Sequence, residues 1–295
     1  MNSLVTLNPE LAALSRIVVL AALTIYSVAF IVLTWSLTIK AGAKKQTSPL
    51  ATKLDKIGFA LMWVGVIAHF IGVLTRGIAA QRVPWANMYE FSVTGSFVVT
   101  FIYLVAVFWK DVKFIASFVS GFVVLIIGTA NTLYFVQVES LMPALQDYWL
   151  VIHVSVAILA TAFFMIAAAL AGILILKTTK RFKKLNILKV FPNEEKLERL
   201  SYQFNIIGFI LWSFTLIAGA IWADKAWHRF WGWDTKEVWT FIIWTIYAAY
   251  LHATTTRGWE GRKAAWLTLI GFAAILFNFT IVNLYFKGLH VYSGL

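Results

Sequence analysis

The chain has five histidines, His69, His153, His228, His252 and His290, and no cysteine. Without a thiol there is no disulfide, no Cys-ligated zinc or iron–sulfur cluster and no covalent tether to a CxxCH-type haem. Any metal chemistry therefore falls to imidazole. Four tryptophans, Trp222, Trp227, Trp231 and Trp233, crowd the segment WADKAWHRFWGWDTKE at 222–237, beside Asp234 and Lys236. Indole faces can cover a flat apolar ring, and Arg229 or Lys236 can meet a carboxylate on its edge. Two histidines at one level beside such a shelf would suit axial ligation of a haem iron. Zinc would ask for further Cys, His or carboxylate ligands.

The elements that must position these groups are membrane spans. Of the 295 residues, 61% are apolar and 13% charged, about half the charged share of a soluble domain, which excludes a soluble enzyme, a disordered chain and a fibrous repeat. Eight stretches, 17–39, 57–75, 91–109, 114–133, 150–176, 204–223, 238–256 and 264–286, are free of Asp, Glu, Lys and Arg. Each is long enough, at about 20 residues of helix, to cross a bilayer. The expected fold is an all-α polytopic bundle of about eight transmembrane helices with an external Trp-rich loop. Residues 1–56 would form a first helix and basic loop, and 57–295 the main domain.

The net charge of +12 follows from topology and calls for no nucleic acid. Loop 40–56 holds five lysines against Asp55, and loop 177–203 holds eight basic residues against three acids. Loop 257–263 holds Arg257, Arg262 and Lys263 against Glu260. These loops share one side, the cytoplasmic one by the positive-inside rule. Both termini and the Trp loop then face outward. A short amphipathic helix is expected around Asn193–Gln203.

This frame sorts the histidines. His153 falls in the first turn of the fifth span, and His290 four residues beyond the eighth, at similar height on the outer side. His252 lies about 21 Å below the outer surface at 1.5 Å rise per residue, too deep for that site. His69, in the outer half of the second span, is a weak partner for it, and His228 belongs to the loop. An ionisable group inside a membrane is costly and is a functional hypothesis by default.

The stretch WGWDTKEVW, with Trp222 and Trp227 upstream, resembles the tryptophan-rich WWD motif of haem-handling proteins in cytochrome c biogenesis. PWANMYE at 84–90, WLVIHVSVAILA at 149–160, IYAAYLH at 246–252 and NLYFKGLHVYSG at 283–294 resemble, in order, landmarks of the CcsA/ResC family. The chain departs from that pattern at His228, where glycine is usual, and at Thr235, where proline is. The resemblance implies a system II subunit, in a bacterial cytoplasmic membrane or, in a plastid, the thylakoid membrane, that pairs with a ResB/CcsB-type membrane subunit, with a thioredoxin-like protein keeping the substrate thiols reduced. Together the two subunits carry haem b to the outer face and attach it to CxxCH of apocytochrome c. It implies that His153 and His290 are the outer axial ligands, that Trp222, Trp227, Trp231, Trp233 and Asp234 form the haem platform, and that His252 is an intramembrane ligand whose mate lies on the other subunit. Whether the chain is part of an enzyme stays open in the sequence. A haem transporter without attachment activity and a b-type electron carrier would use similar residues.

Overall fold

The computed structural model describes residues 8–43, 48–139, 146–286 and 288–290. The chain ends expected on the outer side fall outside these residues. Among the described residues the regular structure is all helical, without a strand. The long helices are α1 Pro9–Gly42, α2 Pro49–Ala80, α3 Met88–Trp109, α4 Ala116–Leu133, α5 Tyr148–Thr178, α6 Glu194–Trp227, α7 Thr235–Thr254 and α8 Arg262–Phe277. A π-helical turn, Asn278–Val282, extends α8 into a last short turn at Asn283–Tyr285.

All eight expected spans have a helix. Seven are long and apolar enough to cross a membrane, which makes the chain a multi-pass membrane protein. The one that falls short is α7. It is 20 residues long, but its Trp, Thr, Tyr and His side chains lower its hydropathy. The expected short helix at 193–203 is the first part of α6. Asn193 caps the helix by accepting from Lys196 N at 3.1 Å, and no Pro or Gly interrupts the chain until Gly208.

Neighbours in sequence pack as pairs, α1 along α2 and α5 along α6, while α5 also rests on α8 and α8 on α7. On α2, Gly58, Gly65 and Gly72 recur one heptad apart, and Leu33, Tyr26 and Val19 of α1 fill the space each leaves. At the end of α5 away from His153, Lys177 stays half-buried and donates to the carbonyls of Leu188, Phe191 and Pro192 at 3.1, 3.0 and 2.7 Å. That contact folds the basic connection against the end of α5. The most buried helix is α5, the central post of the bundle and the carrier of His153.

Candidate functional site

The ends of α3, α5, α6, α7 and α8 on the side of the Trp loop surround a cavity of about 240 Å³. His153, His290, Trp222, Trp231, Lys236 and Trp85 line its outer part. Phe122, Trp212 and Ile275 line it further in. Along α6 its wall runs from Ala223 to Trp212, about 16 Å at helical rise, so the space is a tall slot.

His153 is set by α6. Its Nδ1–H donates to the Thr215 carbonyl at 3.0 Å. A carbonyl can only accept, so the proton sits on Nδ1 and Nε2 keeps a free lone pair. The ring stacks on Trp222, centroids 6.0 Å apart and planes 16° apart. It packs so closely on Gly219 that a β-carbon there would sit 2.8 Å from its Cε1. Trp222, itself buried, meets Trp227 and His290 edge-on at 4.9 and 5.3 Å. Trp227 lies 4.7 Å from His290. One indole thus touches both of the histidines expected to act together.

His290 is set from behind. Its Nδ1 faces Asp234 Oδ1 at 3.3 Å. Asp234 is the N-cap of α7. Its Oδ1 accepts from Lys236 N at 2.9 Å and its Oδ2 from Leu289 N at 2.8 Å. Glu237 completes a capping box, its Oε2 accepting from Asp234 N at 3.1 Å and Gly232 N at 2.7 Å. Burial opposes ionisation of Asp234. The contact with His290 and the two amide donors outweigh it and hold the carboxyl at about 2. The Lys236 ammonium donates to Asn283 Oδ1, which the π-helical turn brings round to the cavity.

The Trp segment is not one flat shelf. Trp222 and Trp231 line the cavity, Trp227 packs against Trp222 and His290 without lining it, and Trp233 is 79% exposed and outside the lining. Asp234, expected in the platform, does not line the main cavity. His228 ends α6 with φ +55°, a left-handed conformation that favours glycine, and Trp233 has φ +58°. The usual glycine at the first position thus has a backbone cause.

The remaining histidines stay apart. His252, in the last turn of α7, is exposed and far from the cavity. His69 is fully buried between Tyr26 and Phe97, at 5.9 and 5.8 Å, so it is no partner for His252. Among the described residues no three His, Asp or Glu side chains gather as a metal-binding group.

Sequence reasoning missed what holds the front loop. Glu90 is buried and bonds Arg76 Nε at 3.0 Å, Arg82 Nη1 at 2.6 Å and Ala86 N at 3.0 Å. Arg76 also donates to the carbonyls of Val136 and Gln137. This buried knot fixes the turn at 81–87 that brings Trp85 and Asn87 to the cavity. Its only signal was two arginines and an acid within fifteen residues. Gly219 and the Thr215 carbonyl gave none.

The family model described as cytochrome C assembly protein matches residues 85–290, a range that holds the whole site. A cytochrome c biogenesis protein CcsA of Prochlorococcus marinus is 34% identical over 251 residues, 76% of this chain and 79% of that one. A CcsA of Guillardia theta is 34% identical over 261 residues, covering 81% and 86%. The solved structure of the cytochrome c heme lyase CcmF superposes with a TM-score of 0.69 at 17% identity, over 91% of this chain and 46% of that one, a likeness of fold. The chain belongs to the cytochrome c assembly family, as a CcsA-type cytochrome c biogenesis protein.

Proposed function

We propose that the chain holds haem in the outer cavity, between His153 and His290, and presents it for thioether attachment to CxxCH of apocytochrome c. The observation that carries this reading is the pair of imidazoles facing one aromatic-walled cavity, each with Nδ1 turned to the protein and Nε2 left over. Haem is the substrate in transit, held without a covalent bond. In the attachment a Cys thiol adds across a vinyl group: sulfur bonds the carbon next to the ring, the proton goes to the terminal carbon, and no net oxidation occurs. The chain's own part is to orient the macrocycle, keep oxygen off the iron and leave the reacting edge open. Lys236 is placed to meet a propionate.

His252 serves a second tier in this reading. Its exposure on α7 supports a ligand that works against another subunit, of the ResB/CcsB type, on the path from the cytoplasmic side. The basic loops would then be cytoplasmic and the Trp loop external, with a thioredoxin-like reductant serving apocytochrome c outside.

The test is a reduced-minus-oxidised spectrum of the complex purified with its partner, together with maturation of a reporter cytochrome c. His153→Ala and His290→Ala should each lower both, and added imidazole should partly restore them by filling the vacated axial position. Wild-type haem and maturation in both variants would refute the assignment. Haem binding without attachment, in a cell lacking other maturation factors, would make the chain a haem carrier only.

A further inference from the structure

Asp234 has more partners than a helix cap requires. One oxygen serves the cap and His290, and the other takes the Leu289 amide. Gly288 presses so closely on the carboxylate that any β-carbon there would collide with it. Turning Asp234 toward the main cavity would release the 288–290 turn and uncap α7 at once.

We propose that Asp234 is a positioning residue, acting on haem only through His290, and that it makes the two axial histidines chemically unequal. The inference rests on the bis-histidine reading above. His153 gives its Nδ1 proton to a neutral carbonyl, whereas His290 faces a carboxylate. An anion behind a ligating imidazole fixes its tautomer and raises its donor strength. His290 is therefore the stronger ligand. The negative charge behind it favours ferric over ferrous iron and lowers the midpoint potential. A carboxylate that met haem directly would leave the imidazoles alike.

The experiment uses the complex purified from membranes as wild type, Asp234→Asn and Asp234→Ser. Asn keeps an acceptor oxygen and both substitutions keep a good N-cap, so the charge is removed with the cap retained. In the Asn variant, haem per protein and the low-spin bis-histidine spectrum should stay near wild type. The midpoint potential should shift positive, and exchange with added imidazole should quicken several-fold. Where the Asn variant fails to accumulate, the Ser variant carries the same two readouts. Unchanged potential and exchange with haem retained would reduce Asp234 to a helix cap. Loss of haem from the Asn variant without any change in the spectrum of what remains would point to direct contact and also overturn the proposal. A wild-type complex without a low-spin bis-histidine spectrum would refute the haem reading itself and this inference with it.

Discussion

Gly219 offers the sharpest test of how His153 is held. A β-carbon at Gly219 would lie 2.8 Å from Cε1 and 2.9 Å from Nδ1 of the imidazole. Ordinary contact begins at 3.4 Å, so the ring must retreat by about 0.6 Å. That retreat strains the 3.0 Å bond to the Thr215 carbonyl and the stack on Trp222. Overpacking of this kind costs about 1–3 kcal/mol. Metal ligation tolerates little displacement, so we expect Gly219→Ala to weaken haem binding by roughly tenfold, about 1.4 kcal/mol, with protein level in the membrane near wild type. Gly208→Ala is the matched control. Its β-carbon would meet the Phe164 ring at 2.7 Å, an equal insult to packing on the same helix, eleven residues from His153's neighbour. The assay is haem per purified complex, titrated with imidazole. Imidazole should help Gly219→Ala less than His153→Ala, because the displaced ring still fills the space. Full occupancy in Gly219→Ala, or an equal haem loss in Gly208→Ala, would refute the argument.

Other expectations follow from the same geometry. His252→Ala should lower haem per complex while protein level holds, and His69→Ala should have a much smaller effect; equal losses would deny His252 a separate tier. His228→Gly should raise the melting midpoint in detergent, by up to about 1 kcal/mol of stability, because φ +55° is relaxed for glycine; an unchanged or lower midpoint would show that the histidine side chain contributes locally. The chain lacks cysteine, so single-Cys labelling is clean. Gln137→Cys should react with an impermeant thiol reagent on intact cells and Lys184→Cys only after lysis, and the reverse pattern would invert the topology.

The spans were legible because length and the absence of charge are properties of a segment alone. The His153–His290 pair was legible because span ends set height. The inner and outer faces of the Trp loop were not, since four indoles in twelve residues have the same composition whichever way they turn. The fused helix α6 was hidden by its charge. Glu194, Glu195, Lys196 and Glu198 mark an aqueous first part, and a hydropathy reading stops where charge begins, although the hydrogen-bonded helix does not. Gly219 and Thr215 were silent for another reason. A mid-helix carbonyl and a missing side chain become functional only once the facing helix is known, and that choice of α5 is a tertiary fact. The hydropathy of α7 sends a message of its own. A helix carrying a capped acidic start, Trp239, Trp244 and an exposed His252 is poorly suited to lipid on every side, which fits a face turned to another chain.

The buried knot at Glu90 tests whether the front loop is held by charge. Two guanidinium groups, Arg76 and Arg82, share one carboxylate, with side-chain exposures of 3, 9 and 0% for Arg76, Arg82 and Glu90. One anion offsets one of two cations, so the knot carries a net positive charge even when intact. Glu90→Gln would leave both cations uncompensated and cost about 3–5 kcal/mol, the usual penalty for breaking a buried pair from one side. Most of that is the burial of unpaired charge and little is the lost bond itself. Removing a cation as well should therefore recover much of the loss. The double variant Arg82→Met/Glu90→Gln should melt higher than Glu90→Gln alone, with a coupling of the order of 1–3 kcal/mol. Arg76 would keep its bonds to the Val136 and Gln137 carbonyls in that variant, so its charge stays solvated by the backbone. The carboxylate serves Arg76 through Oε1 and Ala86 N through Oε2, and an amide has one acceptor oxygen, so with that oxygen on Arg76 the turn at 81–87 loses the Ala86 N bond and Trp85 is held less firmly against the cavity. Stability should thus return further than haem occupancy. Strictly additive effects of the two substitutions on melting would show that shape, not charge balance, holds this loop in place.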